Sequence, residues 1–280
     1  MGYDENFLGG DPVPLPTLSP RLIPSAWNGG APIEHTRFSI IFNSERGLAI
    51  CTAHTIDGET LMPEAHIERD DRFRFDPEVD RDLQIDNDRG YRSNPWDRGH
   101  LVRRRSVHWG DESEARQADS ESYFWTNIAP QHERLHDTAW GPIEDWMLAR
   151  AESDRLRAAV FTGPVMTPDD PVHQNGPDEN PIQIPAGFWK VIVVPHRGVR
   201  TLAAFLVWQR DHDSVRPVTF APFLEQVRLT TIEFLTGLSF TELRQLDPQR
   251  FGERTRAFGP PGTPRSGSLN AVTGPSDIAL

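Results

Sequence analysis

The chain carries one cysteine, Cys51, and one lysine, Lys190, among 280 residues. A single cysteine excludes an internal disulfide and any zinc site built from several thiolates. With lysine almost absent, positive charge rests on arginine, whose planar fork suits phosphate and carboxylate oxygens. A surplus of positive charge is also missing: the formal net charge is −12. A chain this acidic is no general polyanion binder, so any nucleic-acid site has to be a local basic patch. No apolar run approaches the ~20 residues needed to cross a bilayer, and no membrane partner is expected. The first residues, Met1-Gly-Tyr-Asp-Glu-Asn-Phe7, have neither the basic start nor the apolar stretch of a secretory signal. The expected location is therefore cytoplasmic, with unconventional export left open. Hydrophobic content is low at 37%, and with 25 prolines this points to a loop-rich globular protein.

What is present divides the chain into three. Residues 1–30 are rich in Pro and Gly and read as an extended arm. Residues 31–250 read as a single domain, and 251–280, rich in Pro, Gly and Ser, as a disordered tail. Within the domain, residues 38–42 and 47–53 are apolar on both alternations, as strands covered on both faces are. Three more strands are expected at 157–162, 188–194 and 201–208, and a further one at 122–126. A short helix is expected at 112–118. A second one begins near Gly141, with Pro142 in its first turn, and runs to about Arg155. A loop from Pro222 leads into a third that ends at Gly237.

The chemistry-bearing stretch is Asn94-Pro-Trp-Asp-Arg-Gly-His-Leu101, followed by Thr126-Asn-Ile-Ala-Pro-Gln131 and Leu135-His-Asp-Thr-Ala-Trp140 with Glu144 beyond. Phosphodiester hydrolysis needs a base for water and a centre that neutralises charge on the phosphate. A neutral imidazole, with an ordinary pKa of about 6.5, can be the base near neutrality, and His100 supplies one. A divalent cation can supply the second, with His136 or Asn127 as its ligand. His136 and Glu144 are separated by about 12 Å and about 80° on an ideal helix. Glu144 therefore suits holding a water on the ion better than binding the ion directly.

These segments resemble the DNA/RNA non-specific endonucleases of the ββα-metal (His-Me finger) group, which includes endonuclease G. The resemblance extends to Phe75-Asp-Pro77, Phe161-Thr-Gly-Pro164, the Ile184-Pro and Phe188-Trp-Lys190 run, and Ile232-Glu233 with Leu235-Thr-Gly237, covering roughly residues 38–240. It implies an α+β, ββα-metal nuclease fold with a central, mainly antiparallel sheet flanked by helices. It implies a metal-dependent endonuclease that cuts DNA and RNA, leaving 5′-phosphate and 3′-hydroxyl ends. His100 corresponds to the general base, Arg98 to the motif arginine near the phosphate, Asn127 to an asparagine that buttresses the site, and Glu144 to the glutamate that orients a water on the metal. Gln131 shapes the same loop and, with Arg103, Arg104 and Arg105, is a candidate contact to nucleic acid. The family's single metal-ligating asparagine is replaced here by His136. The cofactor implied is one divalent cation, Mg²⁺ in the family, with Mn²⁺, Co²⁺, Ni²⁺ or Zn²⁺ favoured by an imidazole ligand. An upstream arginine also belongs to the pattern. The strict spacing falls on Asp71, and Arg72 is the nearest candidate, followed by Arg74 and Arg69.

Arg103, Arg104 and Arg105 form the one basic run beside the motif, either a solvated face or a track for the phosphate backbone. Trp96, Trp109 and Trp125 are either core residues or platforms for bases. DNA and RNA are the expected partners, and a homodimer and an inhibitory or regulatory protein stay open. Two other functions remain beside endonuclease: a catalytically degenerate nucleic-acid-binding protein, and a metal-dependent phosphodiesterase acting on smaller nucleotides.

Overall fold

The computed structural model describes residues 2–70, 72–135, 139–196, 198–209, 224–251, 271–272 and 278. His136, Asp71 and most of the expected tail lie outside them.

The frame is one antiparallel sheet. Its strands are β1 (Ile33–His35), β2 (Phe38–Asn43), β3 (Leu48–Asp57), β6 (Arg157–Val165), β7 (Gly187–His196), β8 (Val199–Trp208) and β9 (Leu224–Val227), joined by the two-residue strand Ala271–Val272. From one edge to the other they run Ala271–Val272, β9, β8, β7, β6, β3, β2, β1. Two further strands, β4 (Trp96–His100) and β5 (Ile128–His132), form a separate antiparallel ribbon. The main helices are α1 (Glu112–Ser122), α2 (Gly141–Asp154) and α3 (Leu229–Thr236).

Alternation along the central strands feeds two cores. Ile40, Ile56, Val160, Phe188 and Phe205 join one cluster, with α2 and the ribbon. Their neighbours Ile41, Phe161, Trp189 and Leu206 join the other, with α3. Each such side chain, taken fully from water, contributes about 1.5–3 kcal/mol before entropy is counted. The strands that read as apolar on both alternations are thus the ones sandwiched between layers. The arm packs against the second core: Tyr3 N–H donates to Ser39 Oγ at 2.8 Å, and the Tyr3 ring lies 5.4 Å from Phe161.

Local signals account for the turns. Gly47 takes a φ of 65° between β2 and β3, where a Cβ would meet the Leu83 carbonyl at 2.6 Å. Helix α2 opens with Pro142 in its first turn, and α3 stops at Gly237 in the left-handed region, φ 78°. One expectation fails. Residues 122–126 are not a strand, because Asp111 caps a helix that runs through Ser122 and Trp125–Asn127 is a 3-10 turn. Here the cap and tertiary packing override the β-propensity of Tyr123, Phe124 and Trp125. A strand that sequence reading missed is β9. Among the described residues no helix is long and apolar enough to cross a membrane.

Candidate active site

The motif that opens the site is strand β4. It pairs with β5 so that His100 faces Ile128, Gly99 faces Ala129, Arg98 faces Pro130 and Asp97 faces Gln131. Side chains alternate across such a ribbon, which puts Trp96, Arg98 and His100 on one face. Phe73 confirms this, since its ring lies 5.6 Å from the His100 ring and 4.6 Å from the Arg98 guanidinium carbon. Tyr123 meets His100 edge-on at 5.1 Å. The imidazole is therefore fixed between two aromatic rings on one side of the ribbon.

The opposite face explains the motif glycine. A Cβ on Gly99 would lie 2.1 Å from Gln131 Cδ and 2.4 Å from its Cγ. Gln131, expected to contact nucleic acid, is instead buried and folds across the Gly99 backbone, so its side chain is spent on packing rather than open to a ligand. Gly99 is needed for close packing, not for an unusual φ. The ribbon is held to the main sheet by Gln209, whose amide accepts from His132 N–H at 3.0 Å and donates to the Pro130 and Pro185 carbonyls.

Asn127 is fully buried and clamps the chain just after His100. Its Oδ1 accepts from Val102 N–H at 2.9 Å, and its Nδ2 donates to the Val102 and Ser122 carbonyls at 3.0 and 2.8 Å. Its own carbonyl accepts from Leu101 N–H at 3.0 Å. One side chain thus ties β4's exit to the end of α1. Thr126 beside it donates to Asp76 Oδ2 at 2.6 Å, and His35 Nε2 meets the same oxygen at 3.0 Å. Burial pushes the Asp76 carboxyl up, but these bonds outweigh it and hold it below the usual carboxylate value.

Glu144 comes from the first turn of α2 and is buried. Lys190 Nζ, on β7, donates to its Oε1 at 3.1 Å and to Thr162 Oγ1 at 3.0 Å. Arg103 Nη1 lies 3.9 Å from Oε2, while its Nη2 pairs with Asp145 at 2.7 Å. Burial lowers the Lys190 pKa and the Glu144 charge opposes that. His54, on β3 two strands over, is driven well below the usual histidine value, first by burial and then by the Lys190 charge. His54 is therefore neutral, and Lys190 and Glu144 form a buried ion pair.

The structure therefore joins His100, Arg98, Gly99, Gln131 and Asn127 in one ribbon-and-loop unit. Arg103, three residues beyond His100, carries it to Glu144. The other arginines of the basic run diverge. Arg104 goes to Asp119 at 2.8 Å and to the Ile67 carbonyl, while Arg105 lies 3.9 Å from Glu64 and from Glu152. Arg72 follows Asp70 into solvent and grips it in a fork, both bonds at 2.7 Å. Its sequence neighbour Phe73 lies against the His100 ring, but the Arg72 side chain itself is engaged with Asp70. Arg74 donates to Ser120 and lies over the Phe124 ring. His136 is outside the described residues, and among those described no three His, Cys, Asp or Glu side chains converge as a metal cage. Sequence reasoning missed Phe73, Tyr123, Gln209 and the structural use of Lys190. Only Lys190 carried a signal, as a lone cation in an otherwise apolar strand.

An antiparallel ribbon bearing His100, followed by a helix bearing a buried glutamate and packed on a central sheet, is the ββα-metal nuclease fold. The DNA/RNA non-specific endonuclease family model matches residues 24–245, and the chain belongs to that family. Similar proteins include y4fB, an uncharacterized protein of Sinorhizobium fredii, 33% identical over 75% of this chain and 33% of its own length. Human mitochondrial endonuclease G is 26% identical over 54% of this chain and 50% of its own length. Zebrafish mitochondrial nuclease EXOG is 27% identical over 67% and 54%. The chain spans about a third to a half of the length of these relatives. In fold it is similar to the crystal structure of the EndoG/EndoGI complex, with a TM-score of 0.58 at 17% identity, covering 82% of this chain and 93% of that one.

Proposed function

We propose that the chain is a metal-dependent endonuclease that hydrolyses phosphodiester bonds of DNA and RNA without sequence preference. The observation that carries this reading is the single unit joining His100 to Glu144, with Asn127 clamping Val102 and Arg103 reaching the Glu144 carboxylate.

His100 is the general base. Flanked by Phe73 and Tyr123, its ring is held in orientation and takes a proton from the attacking water. Positioned proton transfer of this kind contributes about 10²–10⁴-fold. Arg98, on the same face and exposed, binds a non-bridging phosphate oxygen. Arg72 binds the substrate by exchanging Asp70 for phosphate. Arg103 and Arg105 bind the backbone by the same exchange, a local patch on an acidic protein, while Arg104 stays with the buried Asp119.

The donors fit a sparsely ligated divalent cation. His136 would bind it directly, and Glu144 would share in holding it through water, the remaining shell being water, as Mg²⁺ tolerates. An imidazole ligand favours Mn²⁺ or a later transition ion. When bound, the cation supplies Lewis-acid neutralisation of charge on the phosphate. Lys190 holds the Glu144 side chain in place through its 3.1 Å hydrogen bond. A homodimer and control by an inhibitor protein belong to the same proposal.

The test is incubation of plasmid DNA and of RNA with Mg²⁺, Mn²⁺, Co²⁺, Ni²⁺ or Zn²⁺ and with chelator. Internal cleavage of both polymers that chelator abolishes is the expected result. Binding without cleavage under every ion would make the chain a nucleic-acid-binding protein. Cleavage of dinucleotides but not polymers would make it a small-nucleotide phosphodiesterase.

A further inference from the structure

Trp96, Trp109 and Trp125 differ in their surroundings. Trp125 is 4% exposed and stacks between Phe73 and Tyr91 at 5.1 and 5.7 Å. Trp109 donates to the Thr55 carbonyl and lies under Arg37. Both are structural. Trp96 is partly buried, packed on one side against the first core, and starts the ribbon on the same face as Arg98 and His100. Its cross-strand partner is His132, also partly buried, whose ring meets it edge-on at 5.9 Å. Its backbone is fixed, since Trp96 N–H donates to Asn94 Oδ1 at 2.9 Å and Asn94 is held in turn by Gly90 O, His173 and Asn175.

This gives one ribbon face with an order to it: His100 at one end, the exposed Arg98 guanidinium next, and a flat aromatic side chain at the far end. At about 3.3 Å per strand residue, Trp96 stands about 13 Å from His100. That is within the span of a few nucleotides of extended strand. A cation between two such ends follows a phosphate backbone, and a fixed indole beyond it offers its face to a base. Paired bases inside a duplex present no face to stack on, so the ligand is an unpaired nucleotide.

We propose that Trp96, braced by His132, is a base-stacking subsite for an unpaired nucleotide a few positions from the scissile phosphate, and that it biases the enzyme toward single-stranded or locally opened substrate. This rests on the nuclease reading for the direction of the strand, but the stacking itself is measurable without cleavage.

The experiment is fluorescence anisotropy in chelator with a labelled single-stranded oligonucleotide and the matching duplex. Proteins are the wild-type chain, Trp96→Phe, Trp96→Leu and His132→Ala, each checked by circular dichroism. Trp96→Leu keeps apolar bulk and removes the ring. It is expected to weaken single-strand binding about 5- to 100-fold and leave duplex binding within about twofold, while Trp96→Phe stays close to wild type. An abasic site moved one position at a time along the strand needs no variant. In the wild-type protein one or two positions should reproduce the Trp96→Leu loss, and at those positions Trp96→Leu should cause no further loss. Equal binding by wild type and folded Trp96→Leu, equal losses on single strand and duplex, or an abasic walk with no sensitive position would each overturn the subsite. If instead stacking is found and no divalent ion supports cleavage, the nuclease reading fails and the subsite stands.

Discussion

Lys190 donates to Glu144 at 3.1 Å with both side chains out of water. The chain's only lysine thus lies inside the sheet, paired with the Glu144 carboxylate. Removing one partner of a buried pair leaves an uncompensated charge and costs about 3–5 kcal/mol, whereas replacing both with apolar groups is far milder. Lys190→Met should therefore lose about that much stability in chemical denaturation, and Lys190→Met with Glu144→Leu should recover part of it. Additive losses in the double variant would show that the pair is not coupled.

Gly99 and Gln131 form a second coupled pair, through space that only a glycine leaves free. Gly99→Ala forces Gln131 off the backbone and tilts β4, on which His100 sits. Cleavage should fall about tenfold or more, since small misplacement of a catalytic group is costly. Gly99→Ala with Gln131→Ser should recover most of it. The check is a double-mutant cycle on the cleavage rate, and a Gly99→Ala protein as active as wild type would remove the packing argument.

How much of this could be read from sequence differs by element. Strands β2, β3, β6, β7 and β8 were legible because apolar residues occupy both alternations, which only a sheet covered on two sides demands. The ββα site was legible from motif spacing: His100, Asn127 and Glu144 fall in one connected unit. Strand β4 was not, because Asp97, Arg98 and Gly99 carry no β signal and the strand exists through its partner. The basic run at Arg103, Arg104 and Arg105 read as one unit, either a solvated face or a phosphate track. Its residues separate because their carboxylate partners, Asp145, Asp119, Glu64 and Glu152, come from different segments, which no local pattern encodes. Phe73 sits in a charged stretch and gave no sign that it packs on His100.

Asp76 predicts a pH dependence of stability. Its folded pKa is depressed below the unfolded value of about 3.9. Its contribution is therefore fully present above that value and is lost as pH falls through the lower, folded one. Asp76→Asn should cost about 1.5–3 kcal/mol at neutral pH, and the gap to wild type should close below about pH 4. Denaturant midpoints for both proteins from pH 7 to pH 2 provide the measurement. A gap that stays constant with pH would argue that the carboxylate charge is not what matters.

The proposed reading makes His136 the cation's ligand in place of the family's asparagine. His136→Asn should shift the optimum from Mn²⁺ or a later transition ion toward Mg²⁺. Cleavage rates across an ion series, together with calorimetric titration of Mn²⁺ and Mg²⁺ into both proteins, read this out. An unchanged metal profile and unchanged affinities would mean that His136 is not a ligand.

The central claim is that His100 activates the attacking water, and single-turnover plasmid cleavage by wild type and His100→Ala tests it most directly. With saturating Mn²⁺ and with Mg²⁺, His100→Ala should be slower by about 10²–10⁴-fold, with an unchanged circular dichroism spectrum, melting temperature and Mn²⁺ affinity. A folded, metal-binding His100→Ala protein that cuts within a few-fold of wild type would contradict it.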